Sequence, residues 1–131
     1  MSHRSNISVR FAELDPYGHV NHAVYVTYFE VGRVEALRAS GLDLAEMLGR
    51  GWQLVVTELA VRYRRPAVAN DELVVETSVA EIGGASGRFA QRLLRDGDAL
   101  CTAEVKAAFV DGSGRPRRIP PEFRDRLAAM A

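Results

Sequence analysis

One long helical pattern stands ahead of four strand patterns in a row, with no second long helix between any two of them. From Val24 through Tyr25, Tyr28, Phe29 and Val31 to Leu37, apolar residues recur at helical spacing. Period-two alternation then marks strands over about 53–65, 73–82, 88–95 and 99–110. Parallel strands need long crossovers, usually helical, and turns such as Gly83-Gly84-Ala85-Ser86-Gly87 and Asp96-Gly97 are too short for that. The chain is therefore expected to be α+β with an antiparallel sheet. One helix cannot cover both faces of such a sheet. The strands must curve around it, and a face or an edge is left for a partner subunit.

The segment before the helix reads as a strand and a tight turn. Ile7, Val9 and Phe11 alternate with Ser8, Arg10 and Ala12, and the polar residues 1–6 read as frayed. In Asp15-Pro16-Tyr17-Gly18, Asp, Pro and Gly hold the first, second and fourth places of a type I turn. Asn21 is placed to cap a helix from about His22 to Ser40, with Gly41 as its left-handed stop. Glu30 with Arg33 and Glu35 with Arg38 have the spacing of pairs on an exposed face. Gly32 inside the helix points to close approach of another element. A short helix over 44–48 and a closing helix over 121–130, with Pro at its start, complete the pattern.

Composition narrows the function classes. A chain of 131 residues, 47% hydrophobic, can bury one core, so residues 1–131 are read as a single domain. Seventeen basic residues balance seventeen acidic ones, which argues against a nucleic-acid partner. All the basic residues except Lys106 are arginine. No stretch approaches the ~20 apolar residues of a membrane helix, and the first residues lack the apolar run of a secretory signal. Cytoplasmic location with no membrane partner is the expectation. Cys101 is alone, in an apolar run, and reads as core.

The stretch Arg10-Phe11-Ala12-Glu13-Leu14-Asp15-Pro16-Tyr17-Gly18-His19-Val20-Asn21-His22-Ala23-Val24-Tyr25 resembles the opening of the hotdog-fold acyl-CoA thioesterases, the 4-hydroxybenzoyl-CoA thioesterase-like family. Tyr28-Phe29-Glu30 with Arg33 is similar to the family's helix. Tyr63-Arg64-Arg65-Pro66-Ala67 with Asp71 is similar to its strand end and turn. The resemblance implies a hotdog fold, a curved five-stranded antiparallel sheet around one long helix. It also implies pairing with a second copy, an active site at the shared interface, and assembly as a dimer or a tetramer. The substrate implied is an acyl-CoA, and no cofactor is implied.

The same resemblance assigns roles. Asp15 matches the residue that acts as nucleophile or as general base on water; read from the turn alone, it only starts that turn. His22, seven residues on, matches the residue whose backbone amide polarises the carbonyl, as the unpaired amides of a helix N-terminus are suited to do. Asn21, a cap first, Val24 and Tyr25 are substrate-binding candidates, and apolar Val24, Tyr28 and Phe29 could line either an acyl tunnel or the core. CoA phosphates call for arginine, and Arg64, Arg65, Arg88, Arg117 and Arg118 are the candidates. The family's basic loop is replaced here by Gly83–Gly87, whose amides with Ser86 could cradle a pyrophosphate instead. His19 braces the turn. Asp15, His19 and His22 match no standard zinc spacing, so no metal is expected. Glu58 reads as an exposed strand carboxylate, and Glu30 as a distant catalytic candidate. Two other readings stay open: a non-catalytic acyl-CoA-binding module, and a hotdog enoyl-thioester hydratase, whose usual motif this sequence does not fit.

Overall fold

The computed structural model describes residues 1–131. Five strands, β1 (His3–Ser8), β2 (Trp52–Tyr63), β3 (Glu72–Ile82), β4 (Ser86–Arg95) and β5 (Asp98–Asp111), form one sheet in the order β1-β3-β4-β5-β2, all antiparallel. Helix α1 (His22–Ala39) packs across β1 and β3. Helices α2 (Leu44–Gly49) and α3 (Pro121–Ala128) close the ends. The register slips between Val56 and Glu58, between Val79 and Glu81, and between Leu93 and Leu94. Such slips bend strands, and they let the sheet wrap the helix as the resemblance implies.

Local chemistry accounts for the boundaries. Asn21 Oδ1 accepts the Ala23 amide at 2.9 Å and starts α1. Gly41, at φ +91°, lets the chain leave it. Asp96 and Gly97, at φ +51° and +84°, make the β4–β5 hairpin turn. One expectation fails at the start of the chain. β1 begins at His3, inside the segment read as frayed, and pairs with β3 as far as Ser8. Phe11–Glu13, expected to extend the strand, is instead a 3₁₀ turn, and Phe11 is exposed.

Alternation decides which strand residues meet the helix. On the inner face Val75, Leu93 and Cys101 form one cross-strand row, and Thr77, Gln91, Ala103 and Val61 form the next. α1 sets Phe29, Gly32, Ala36 and Leu37 against this face. The outer face is polar: Glu76 bridges Arg92 at 2.7 Å and Arg4 at 3.0 Å. β2 is an edge strand with no strand beyond it, and α2 packs against its start. Its inner-face residues Val56, Leu59 and Tyr63 are 46%, 41% and 49% exposed.

The two helix pairs expected from spacing do not form. Arg38 reaches Asp43 at 3.5 Å rather than Glu35. Arg33 makes no ion pair and turns to Gln91 on β4, whose Oε1 accepts from its Nη1 at 3.0 Å. Inward polar groups on the sheet outcompete an exposed partner, because burying them unpaired costs more than losing a surface pair.

Gly32 is the tightest point of the helix-sheet contact, since a Cβ there would collide with the Val75 side chain and crowd Thr77. Helix propensity alone would favour alanine by ~1 kcal/mol. Overpacking costs ~1–3 kcal/mol and opposes it. Gly32→Ala is therefore expected to lower the thermal midpoint, measured by circular dichroism. A raised midpoint would mean that this contact has slack.

Candidate active site

The N-terminus of α1, the turn before it and the end of β2 meet in an open cleft of about 320 Å³. Asp15, His19, Val20, His22, Tyr25 and Tyr63 line it, with Arg64, Arg65 and Pro66 at the strand end. The turn is built as its residues suggest. Asp15 O accepts from Gly18 N at 3.0 Å, and Gly18 sits at φ +78°. Asp15 Oδ1 accepts the Tyr17 amide at 2.9 Å and the His19 amide at 3.1 Å. Asp15 does start the turn, but with one oxygen only. Its Oδ2 makes no hydrogen bond within the chain.

The turn is held against the helix from several sides. Val20 N donates to Ala67 O and Asn21 N to Glu13 O, each at 2.9 Å. Tyr28 Oη donates to Glu13 Oε1 at 2.8 Å, tying α1 to the segment that carries Asp15. Burial pushes the Glu13 carboxyl up, but hydrogen bonds from the Arg10 amide and the Tyr28 hydroxyl outweigh it and hold the group below its ordinary value. Burial and the hydrogen bond to Glu13 drive the Tyr28 phenol well above its usual range. Both groups therefore keep the states their bond needs at neutral pH.

The helix start presents donors. The Ala23 amide is taken by Asn21, and Val24 N donates to Asn21 O at 2.9 Å. The His22 amide has no acceptor in the chain. Tyr63 Oη donates to His22 O at 2.7 Å and fixes this first turn from β2. Burial raises the Tyr63 phenol, which keeps it protonated as that donor. Tyr25 packs edge-on against Tyr63, with ring centroids 5.2 Å apart, and its Oη accepts from Ala67 N at 3.0 Å. Sequence alone does not single out Tyr63 and Glu13 as site residues. The signal for Tyr63 was its place beside Arg64 at a strand end.

The other candidates divide. Arg64 lines the cleft and has no carboxylate partner, while Arg65 approaches Asp98 at 3.9 Å. Val24 is partly buried against the core. Ser86 and Arg88 lie on the outer face, around a separate hollow of about 80 Å³ with Lys106. There Arg88 meets Glu58 at 3.5 Å and Glu81 at 3.6 Å. Arg117 is held by Asp111 at 2.6 Å, and Arg118 is exposed without a partner. Within one protomer, then, Asp15, His22, Tyr25 and Arg64 come together, and Ser86 and Arg88 do not join them. In the glycine loop the Gly83 amide is already spent on Ser86 O at 2.7 Å, which narrows the cradle it could offer.

Three chemistries can be weighed on this geometry. Cys101 is fully buried, and burial pushes its thiol up to about 11, so it offers no thiolate. No three His, Cys, Asp or Glu side chains are grouped closely enough to hold a metal ion. What remains is a carboxylate with one free oxygen in the same cleft as an unpaired helix N-terminal amide.

A family model described as the thioesterase-like superfamily matches residues 9–127. The acyl-CoA thioesterase YbgC of Haemophilus influenzae is 38% identical over 120 residues, covering 90% of this chain and 88% of that one. The chloroplastic acyl-acyl carrier protein thioesterase ATL3 of Arabidopsis thaliana is 30% identical over 127 residues, covering 95% of this chain and 67% of that one. A crystal structure of a thioesterase complexed with coenzyme A and zinc from Thermus thermophilus superposes with a TM-score of 0.86 at 31% identity. The match covers 97% of this chain and 92% of that one.

Proposed function

The chain belongs to the thioesterase-like superfamily, and from that premise we propose that it hydrolyses the thioester of an acyl-CoA to the free acid and CoA. The observation that carries this reading is the shared cleft of Asp15, with Oδ2 unused, and the unpaired His22 amide. The thioester carbonyl oxygen lies against that amide and gains charge there as the carbonyl is attacked. Asp15 acts in one of two ways. It adds through Oδ2, expels the CoA thiolate and leaves a mixed anhydride that water opens. Alternatively, it takes a proton from water as that water adds. In both, the sulfur leaves with the bonding pair and ends as the thiol.

Arg64 holds a CoA phosphate at the rim of the same cleft. Asn21 caps the helix, and Val24 and Tyr25 border the acyl group. The protein works in the cytoplasm as a homodimer at least, joined through the β2 edge, which has no strand partner within the chain. Ser86, Arg88 and Arg118 reach CoA only where a second copy brings them to the cleft.

The test is thiol release from a panel of aryl, short-chain and long-chain acyl-CoAs, with acyl-acyl carrier protein as a second thioester. Release from at least one acyl-CoA is expected. Release only from the carrier protein would move the substrate class, and binding of CoA without any release would favour a binding module. Arg64→Ala is expected to raise KM about tenfold with kcat nearly unchanged, the scale of one lost hydrogen bond to a charged group. The wild-type KM is expected to rise with salt. An unchanged KM would remove Arg64 from the phosphate site.

A further inference from the structure

Arg33 is the one charged group of the helix-sheet contact that is left without a counter-charge. Its Nη1 donates to Gln91 Oε1 at 3.0 Å, and no carboxylate lies within ion-pair distance. Gln91 is only 1% exposed, and its Nε2 donates to Phe29 O and to Thr77 Oγ1, each at 2.9 Å. Those two bonds fix the amide so that its oxygen faces Arg33. The guanidinium is therefore held in place by a buried group, yet most of its donors are unused. Burial pulls its pKa down, and nearby Glu30 acts the other way. A partly buried cation of this kind calls for a carboxylate.

Glu30 is exposed and makes no ion pair either. It lies ~60° from Arg33 around the helix, whereas Glu35 lies ~200° away on the far flank. His22 and Val26 share the flank of Arg33, because they precede it by eleven and seven residues. α1 packs across β1 and β3 while Arg33 reaches out to Gln91 on β4, so in the strand order β1-β3-β4-β5-β2 this flank looks toward the β2 edge. Along that flank a helix thus carries one unpaired anion and one unpaired cation a turn apart. Such a pattern is self-complementary about a two-fold axis, where residue i meets j and j meets i.

Resting on the homodimer reading above, we propose that Arg33 of each copy pairs with the partner's Glu30, giving two symmetric salt bridges that set the register of the two helices beside the shared cleft. The occupant of this flank is a second copy of the chain.

The test is the dimer dissociation constant, from sedimentation or, where binding is too tight, from subunit exchange. Glu30→Arg is expected to weaken the dimer at least tenfold in low salt, with the loss shrinking in high salt. Glu30→Gln should lose less. Combining Glu30→Arg with Arg33→Glu should restore most of the affinity. Glu30 is exposed and outside the core, so its variants fold. If Arg33→Glu does not fold, Glu30→Arg and its salt dependence decide alone. A dimer constant within twofold of wild type for Glu30→Arg overturns the pairing, as does a folded double variant no better than the single. A wild-type monomer would instead sink the homodimer reading itself, so the two failures are distinct.

Discussion

Asp15→Asn is expected to leave the fold, the thermal midpoint and the oligomeric state unchanged while hydrolysis falls by roughly 10²-fold or more, the scale of a lost general base. The structure separates the two jobs of this side chain. Oδ1 accepts the Tyr17 and His19 amides, and an asparagine Oδ1 does the same, since Asn is equally favoured at the first place of the turn. Oδ2 is the oxygen without a partner, and asparagine replaces it with a neutral amide that neither attacks nor takes a proton. Asp15→Ala is the control: it removes both oxygens and should cost stability as well as rate. Near-normal turnover by Asp15→Asn on the best acyl-CoA would make Asp15 a turn residue only and end the mechanism proposed here.

The sequence was legible where a local rule and the tertiary requirement agree. Asn21, Gly41 and Asp96-Gly97 marked ends that the structure keeps within a residue or two. Gly32 announced a close approach, and Val75 is what approaches. It was less legible where the partner of a side chain lies far along the chain. Arg33 had Glu30 at a favourable spacing, yet it chose Gln91, fifty-eight positions away, because an inward amide on β4 is costly to leave unpaired. A polar Gln on the inner side of the Phe89, Gln91, Leu93 alternation was the available signal. The start of β1 is hidden in the sequence for a similar reason. His3–Ser8 has weak alternation of its own and is a strand because β3 offers it an edge to pair with.

For the site, the same division holds. Asp15, His22 and Arg64 lie in one short stretch or at a strand end, and they meet as neighbours in the cleft. Arg88 looks equivalent to Arg64 by residue type, and Ser86 follows from the glycine loop. Sequence could not say that a strand residue of the opposite parity to Phe89 faces away from the helix until the pairing of β4 with β5 fixed the face. Tyr63 and Glu13 act through backbone groups of the helix start and through Tyr28, and no spacing rule links residues forty-one positions apart.

His22→Pro is expected to lower kcat by roughly 10²–10³-fold with little change in stability, the cost of deleting one oxyanion donor. The substitution is clean because of where His22 sits. It is the first residue of α1, the position at which proline is favoured and the missing amide breaks no helix bond. Asn21 stands at φ −55° and ψ 135°, an extended conformation that a following proline accepts. Asn21 Oδ1 still receives Ala23 N, and Tyr63 Oη still donates to the carbonyl of residue 22. Only the unpaired amide is lost. His22→Ala retains that amide and should keep kcat within about tenfold, which separates the backbone role from any role of the imidazole. If His22→Pro folds, binds CoA with wild-type affinity and turns over normally, the carbonyl is polarised elsewhere. If His22→Ala is as damaged as His22→Pro, the imidazole and not the amide carries the effect.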